Sequence, residues 1–176
     1  MTFEISPLGF EITPDIAEEY LADPTRLPSS IQTPEHKAQM LLDLEEGAVA
    51  ERHLAVRMLA AWDEDPEVAA ALRPLLASDD VLQASQAATG LARQHDITDL
   101  PAVLDLVYRL SPADGGTAEA MLLPLRAAIA LAALEGPHIV EGVRSRGRTW
   151  RGSGPVRRQS WEHEFDQELD DLLAEG

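Results

Sequence analysis

The residues with which this chain of 176 could do chemistry are five histidines and 31 acids; there is no cysteine. The histidines are His36, His53, His95, His138 and His163. A zinc site wants two of them one helical turn apart, or a Cys/His cluster. No two stand at i and i+4, and HExxH does not occur. His163, between Glu162 and Glu164, reads as a solvated helix residue rather than a weak metal ligand. The run Asp63-Glu64-Asp65, followed by Glu67, has the residue types of metal binding or general-acid work. Its place at a helix junction explains those acids as caps and dipole partners. Gly115-Gly116 before Thr117 has the form of an anion site at a helix start, but reads better as a plain loop. GxSxG, the P-loop and GxGxxG are absent. Without cysteine there is no thiolate nucleophile and no disulfide, which fits a reducing compartment. These residues point to no enzyme, no cofactor and no metal.

Charge says more. The net charge of −17 is unevenly spread. Residues 1–143 hold 24 acids and 8 Lys or Arg, a net of −16. Residues 144–158 hold six arginines and no acid, and residues 159–176 seven acids and no Lys or Arg. Such a body repels nucleic acid and anionic membrane and attracts a basic partner. The start, Met-Thr-Phe-Glu-Ile, has no basic region and no long apolar run, so it does not read as a signal peptide. The most apolar stretch, Met121 to Leu134, is broken by Pro124 and Arg126 and is too short to span a bilayer. The expectation is a cytoplasmic protein of one domain, large enough to bury roughly 70% of its surface.

The elements follow from caps and periodicity. Residues 1–33 read as an irregular arm with a short helix. From there a unit recurs three times, over Pro34 to Asp65, Pro66 to Asp96 and Ile97 to Gly136. Each is a helix, a break and a second, alanine-rich helix. Thr33 with Pro34, and Asp65 with Pro66, are N-cap and first-turn pairs. The first helix offers Ala38, Leu41, Leu42 and Leu44 as a buried face. Its partner offers Leu54, Ala55, Met58, Leu59 and Trp62. In the second unit Asp79 or Asp80 caps the alanine-rich helix. Gly90 lies inside it, where glycine costs about 1 kcal/mol; a close helix backbone would explain that glycine. In the third unit Thr117 caps a helix that Pro124 should kink or divide. From Ala127 to Leu134 it is apolar nearly all round, and should be the most buried helix.

The second helices align position by position. Ala55, Ala87 and Ala127 correspond, as do Leu59, Leu91 and Leu131, and Ala60, Ala92 and Ala132. Pro66-Glu67-Val68-Ala69-Ala70-Ala71-Leu72-Arg73-Pro74-Leu75-Leu76, then Ala84 to Ala92, resembles a HEAT repeat of the short bacterial type. The resemblance is good over 66–96, fair over 34–65 and 97–136, and absent elsewhere. The usual arginine near the start of the second helix is missing, with Gln83 or Gln86 in its place. The resemblance implies an all-α fold, a short α-solenoid of about three helix pairs over 34–143, and a binding scaffold. A generic helical bundle is the competing fold. HEAT-like DNA glycosylases need a basic face, which Arg52, Arg57, Arg93 and Arg126 among many acids do not make.

The end of the chain differs in composition. Residues 144–158, with three glycines and a proline among the arginines, read as a basic flexible linker. Residues 159–176 read as an acidic amphipathic helix, with Trp161, Phe165, Leu169, Leu172 and Leu173 on one stripe. Either the stripe caps the last repeat, or linker and helix form an arm for a partner. The expected function is a non-enzymatic adaptor that binds another, basic protein. Its expected contacts are Trp62, Asp63, Glu64, Asp79 and Asp80 at helix junctions, and Arg148, Trp150, Arg151 and Trp161 at the end, since Trp and Arg anchor interfaces. One alternative is an inhibitor or immunity protein that neutralises a basic toxin or nuclease. Another is nucleic-acid binding through residues 144–158, which the surrounding negative charge opposes beyond a Debye length of about 8 Å.

Overall fold

The computed structural model describes residues 31–110 and 118–152. Among them the chain is all-helical, with seven α-helices and no strand. Helix α1 (Pro34–Glu46) starts where the Thr33 hydroxyl accepts the His36 amide. Helix α2 (Val49–Leu59) starts where the Ala48 amide donates to the Glu51 carboxylate at 2.7 Å. Helix α3 (Pro66–Leu72) is capped by Asp65, which accepts the amides of Glu67 and Val68. Pro74 has no N–H to extend the α ladder, and the chain tightens into a 3₁₀ turn over Arg73–Ala77. Asp80 then caps α4 (Val81–Arg93) through the amides of Leu82 and Gln83. A 3₁₀ turn at Ile97–Asp99 leads into α5 (Leu100–Arg109). Helices α6 (Ala118–Ala133) and α7 (Pro137–Gly152) complete the described fold.

The alanine-rich helices lie side by side. Helix α2 packs on α4, and α4 on α6, while α1 covers α2, α3 and its 3₁₀ turn cover α4, and α5 covers α6. Ala55, Leu59, Ala87, Leu91, Ala127 and Leu131 are all 3% exposed or less. Small side chains let these helices come close. A Cβ built on Gly90 would lie 2.5 Å from Leu72 Cδ1 and 2.7 Å from Ala60 Cα, so only glycine fits where the end of α2 crosses α4.

Four expectations meet a different outcome. Helix α6 is not divided at Pro124 but runs through it, and the proline ring is fully buried. The most covered helix is α4, because it has helices on both sides: only Leu82 is exposed along it. Helix α6 leaves Ala130, Ala133 and Leu134 at the surface. No residue of α1 is fully buried; Leu41 and Leu44 pack partly, with Met40, while Ala38 and Leu42 are exposed, and among the described residues α2 is the main helix beside it. Residues 144–152, expected as linker, continue α7. Pro137 starts that helix behind Gly136, Ile139, Val140 and Val143 anchor it on the core, and arginine is a good helix former. Residues 1–30 of the arm expected over 1–33, the cap Thr117, the loop 111–116, residues 153–158 of the expected linker and the expected helix 159–176 lie outside the described residues.

Candidate partner-binding surface

Helices α2 and α4 run the same way. His53, in the first half of α2, reaches the cap of α4: His53 Nε2 lies 2.6 Å from Asp80 Oδ2. At the other end Ala60 meets Gly90, and the Gln94 side chain donates to the Trp62 carbonyl at 2.7 Å. The expected contact acids therefore fall at opposite ends of this pair, separated by the length of α2, about 16 Å. Asp63 and Glu64 follow the C-terminal end; Asp79 and Asp80 precede the N-terminal end.

The C-terminal end is a dense set of ties between units. Arg93 Nε donates to Asp63 at 2.9 Å, and His95 Nδ1 lies 3.0 Å from Glu64. The Gln94 carboxamide also accepts the Asp65 amide at 2.6 Å. Lys37 bridges Asp65 and Glu67, each at 2.8 Å. Arg73 holds Asp99 through Nε at 2.7 Å and Asp96 through Nη2 at 2.9 Å. Arg109 donates both guanidinium nitrogens to the carbonyls of Leu76 and Ala77.

These ties set the proton affinities. Burial disfavours the Asp65 charge, but the Lys37 ammonium and the amides of Val68 and Glu67 outweigh it, and the carboxyl titrates below its ordinary range. Asp80 behaves alike: burial is outweighed by the amides of Gln83 and Leu82 and by His53. For Asp96 the Thr98 hydroxyl and amide, then Arg73, lower the pKa. Lys37 is raised by Asp65 and Glu67.

The junction candidates sort accordingly. Trp62 is 7% exposed, a core residue beneath the turn. Asp63 and Asp80 are partly buried in ties between units, which is their structural role. Glu64 and Asp79 are exposed. Arg148, Trp150 and Arg151 fall in the last turns of α7; Trp161 lies outside the described residues. The roles of Arg73, Gln94 and Arg109 carry no local sequence signal, because their partners stand about one unit away. Among the described residues no three His, Asp or Glu side chains gather as a metal would require, and no helix is long and apolar enough to cross a membrane. Comparison with protein-family models, with curated proteins and with solved structures finds no match to this chain.

Proposed function

We propose that the chain is a non-enzymatic protein-binding adaptor, built as a short HEAT-like α-solenoid and gripping a basic partner through acidic surface. Three features support the solenoid. Matched positions of α2, α4 and α6 are buried alike, and each of these helices packs on the next. The turn after each holds a residue with positive φ: Glu64 at 49°, His95 at 55° and Gly136 at 130°.

One observation carries the choice of partner. Residues 31–110 contain 6 Lys or Arg and 14 acids. Four of the cations, Lys37, Arg73, Arg93 and Arg109, are engaged in ties between successive units. Glu45, Glu46, Asp79 and Asp105 stay exposed. Cohesion of the units takes up positive charge, and the surface left for a partner is acidic.

The test is capture from the source lysate by the immobilised chain at about 0.05 M and about 0.5 M salt. A basic protein held at low salt and released at high salt is expected. Reversing Glu45, Glu46 and Asp79 to lysine should weaken it about tenfold or more, within the range of rim electrostatics. Failure to retain any basic protein at low salt refutes the proposal. If the captured protein is a nuclease or other toxin that loses activity in the complex, the adaptor is an inhibitor. A second reading, nucleic-acid binding, is favoured by the four arginines between 144 and 151 standing on one helix. It requires a salt-dependent gel shift that disappears when those arginines are changed to glutamine.

A further inference from the structure

Building on the basic partner inferred above, we propose that it docks as a basic amphipathic helix along one edge of the helix pairs. This is the edge where α1, the 3₁₀ turn after α3, and α5 finish, and where α2 and α4 begin. Only Gly47 and Ala48 separate the end of α1 from Val49, the first residue of α2. His53, one turn after Val49, meets Asp80 Oδ2 at 2.6 Å, and Asp80 Oδ1 accepts the Leu82 amide at 3.1 Å. Arg109, the last residue of α5, donates to the carbonyls of Leu76 and Ala77, where the 3₁₀ turn ends. Among the described residues the exposed large apolar side chains are Leu42, Val49, Leu82, Tyr108 and Leu134. All but Leu134 lie on this edge. Leu42 stands one turn before the end of α1, Val49 and Leu82 in the first turns of α2 and α4, and Tyr108 in the last turn of α5. Exposed apolar residues scattered singly need no explanation; gathered along one edge of three successive units, they mark a binding surface.

Charge selects the occupant. At the opposite edge the acids meet cations of the chain itself: Asp63 meets Arg93, Asp65 meets Lys37, and Asp96 and Asp99 meet Arg73. At this edge Glu45, Glu46, Glu51, Asp79 and Asp105 are exposed, and the exposed cations beside them are Arg52 and Arg109. Arg109 is already bound to its two carbonyls. An apolar row with an acidic border is complementary to apolar residues flanked by lysine and arginine. Spacing selects the form. Packed helices lie about 8–10 Å apart, which sets the step from one unit to the next. On a helix every seventh residue returns to nearly the same face after a rise of about 10.5 Å, close to that step. Residues on one face of a strand recur after about 7 Å or about 13 Å, which fits it poorly.

The probe is a synthetic helical peptide of about 18 residues, built of alanine, lysine and arginine with leucine at every seventh position. Its counterpart carries glutamine in place of each leucine. Titrated into the ¹⁵N-labelled full chain at about 0.05 M salt, the leucine peptide should shift the amide resonances of Leu42, Val49, Leu82 and Tyr108 and leave that of Leu134 in place. It should bind about tenfold or more tightly than the glutamine peptide. Leu82→Gln should weaken it about fivefold, the scale of one partly buried leucine, and Leu134→Gln should not weaken it. Equal affinity of the two peptides, or shifts centred elsewhere, overturns the apolar edge while the basic-partner proposal stands, because that proposal needs charge alone. No binding of either peptide also overturns it, and capture from lysate reads the basic partner separately. Shifts at the same four residues on concentrating the chain without peptide would put a second copy on the edge and overturn it as well.

Discussion

Gly90→Ala and Gly142→Ala should shift stability in opposite directions, although both glycines lie inside helices. On propensity alone each change gains about 1 kcal/mol. At Gly142 nothing lies within 4 Å of the added methyl, so the gain should be kept, at about 0.5–1 kcal/mol. At Gly90 the methyl would lie 2.5 Å from Leu72 Cδ1, 2.7 Å from Ala60 Cα and 3.2 Å from Ala60 Cβ. Leu72 is fully buried and has little room to turn away, and the Ala60 contact is backbone. Overpacking of a tight core costs about 1–3 kcal/mol, and contact with backbone belongs at the upper end. Subtracting the propensity gain leaves a net loss of about 1–2 kcal/mol, or a fall of roughly 3–6 °C in Tm for a chain of this size. Urea unfolding followed by circular dichroism reads both variants, with the slope unchanged if the denatured state is the same. A Gly90→Ala protein at least as stable as the parent would show that α2 does not cross α4 at this point.

Three further outcomes are expected. Arg73→Met leaves the Asp99 carboxylate, whose side chain is 7% exposed, without its cation; with Arg73 itself 42% exposed, the loss should be about 1–3 kcal/mol. A double-mutant cycle with Asp99→Ala should return a coupling of about 0.5–3 kcal/mol, and zero coupling would dismiss the tie. Gln94→Ala strips the Trp62 carbonyl and the Asp65 amide of one partner at once and should cost about 1–3 kcal/mol by chemical denaturation. Asp65, Asp80 and Asp96 titrate below the ordinary 3.8 in the folded chain. Their contribution is therefore complete above that value and lost as pH falls through the lower, folded values, so Tm should drop progressively as pH falls below about 4. The triple Asn variant should lose most of that acid sensitivity, and an identical pH profile would contradict the assignment.

Local signals were legible in the sequence, and distant ones were not. Thr33, Asp65 and Asp80 announce helix starts because a cap acts on amides two or three residues away. Gly90 points to a close approach because glycine inside a helix is costly, though Gly142 carries the same signal with nothing within 4 Å of it. Trp62 reads two ways: its i+8 place on the α2 stripe suits a core, and its residue type suits an interface. Burial decides for the core. Pro74 appears in a run that reads as one helix, yet its missing N–H shortens α3 to seven residues. The continuation of α7 past Val143 is hidden by a composition that suggests a linker, and the anchoring of Ile139, Val140 and Val143 on the core is a tertiary effect.

The ties between units explain why an acidic protein of this kind coheres. Their partners stand 26 to 33 residues apart for Arg73 with Asp99, Lys37 with Asp65, Arg93 with Asp63 and Arg109 with Leu76, close to one unit of sequence. Lys37 and Arg73 thus meet acids at the start of the following unit's helices, while Arg93 and Arg109 reach back to an acid and to helix-end carbonyls of the preceding unit. Exposed ion pairs are worth little, with a median of about 0–1 kcal/mol. Asp65 and Asp99 are different, because each also sits at a helix or turn start and is largely shielded from water. Removing the cation there leaves a charge that burial penalises, so breaking either pair should cost more than an exposed pair would. The same arrangement determines the surface. Positive charge is drawn to the seams, and the exposed ridges keep their glutamates and aspartates. A variant that loosens a seam by freeing Lys37 or Arg93 should therefore also make the surface less acidic and weaken a basic partner. Stability and binding would then decline together at seam positions, whereas reversal of Glu45 or Asp79 should weaken binding alone.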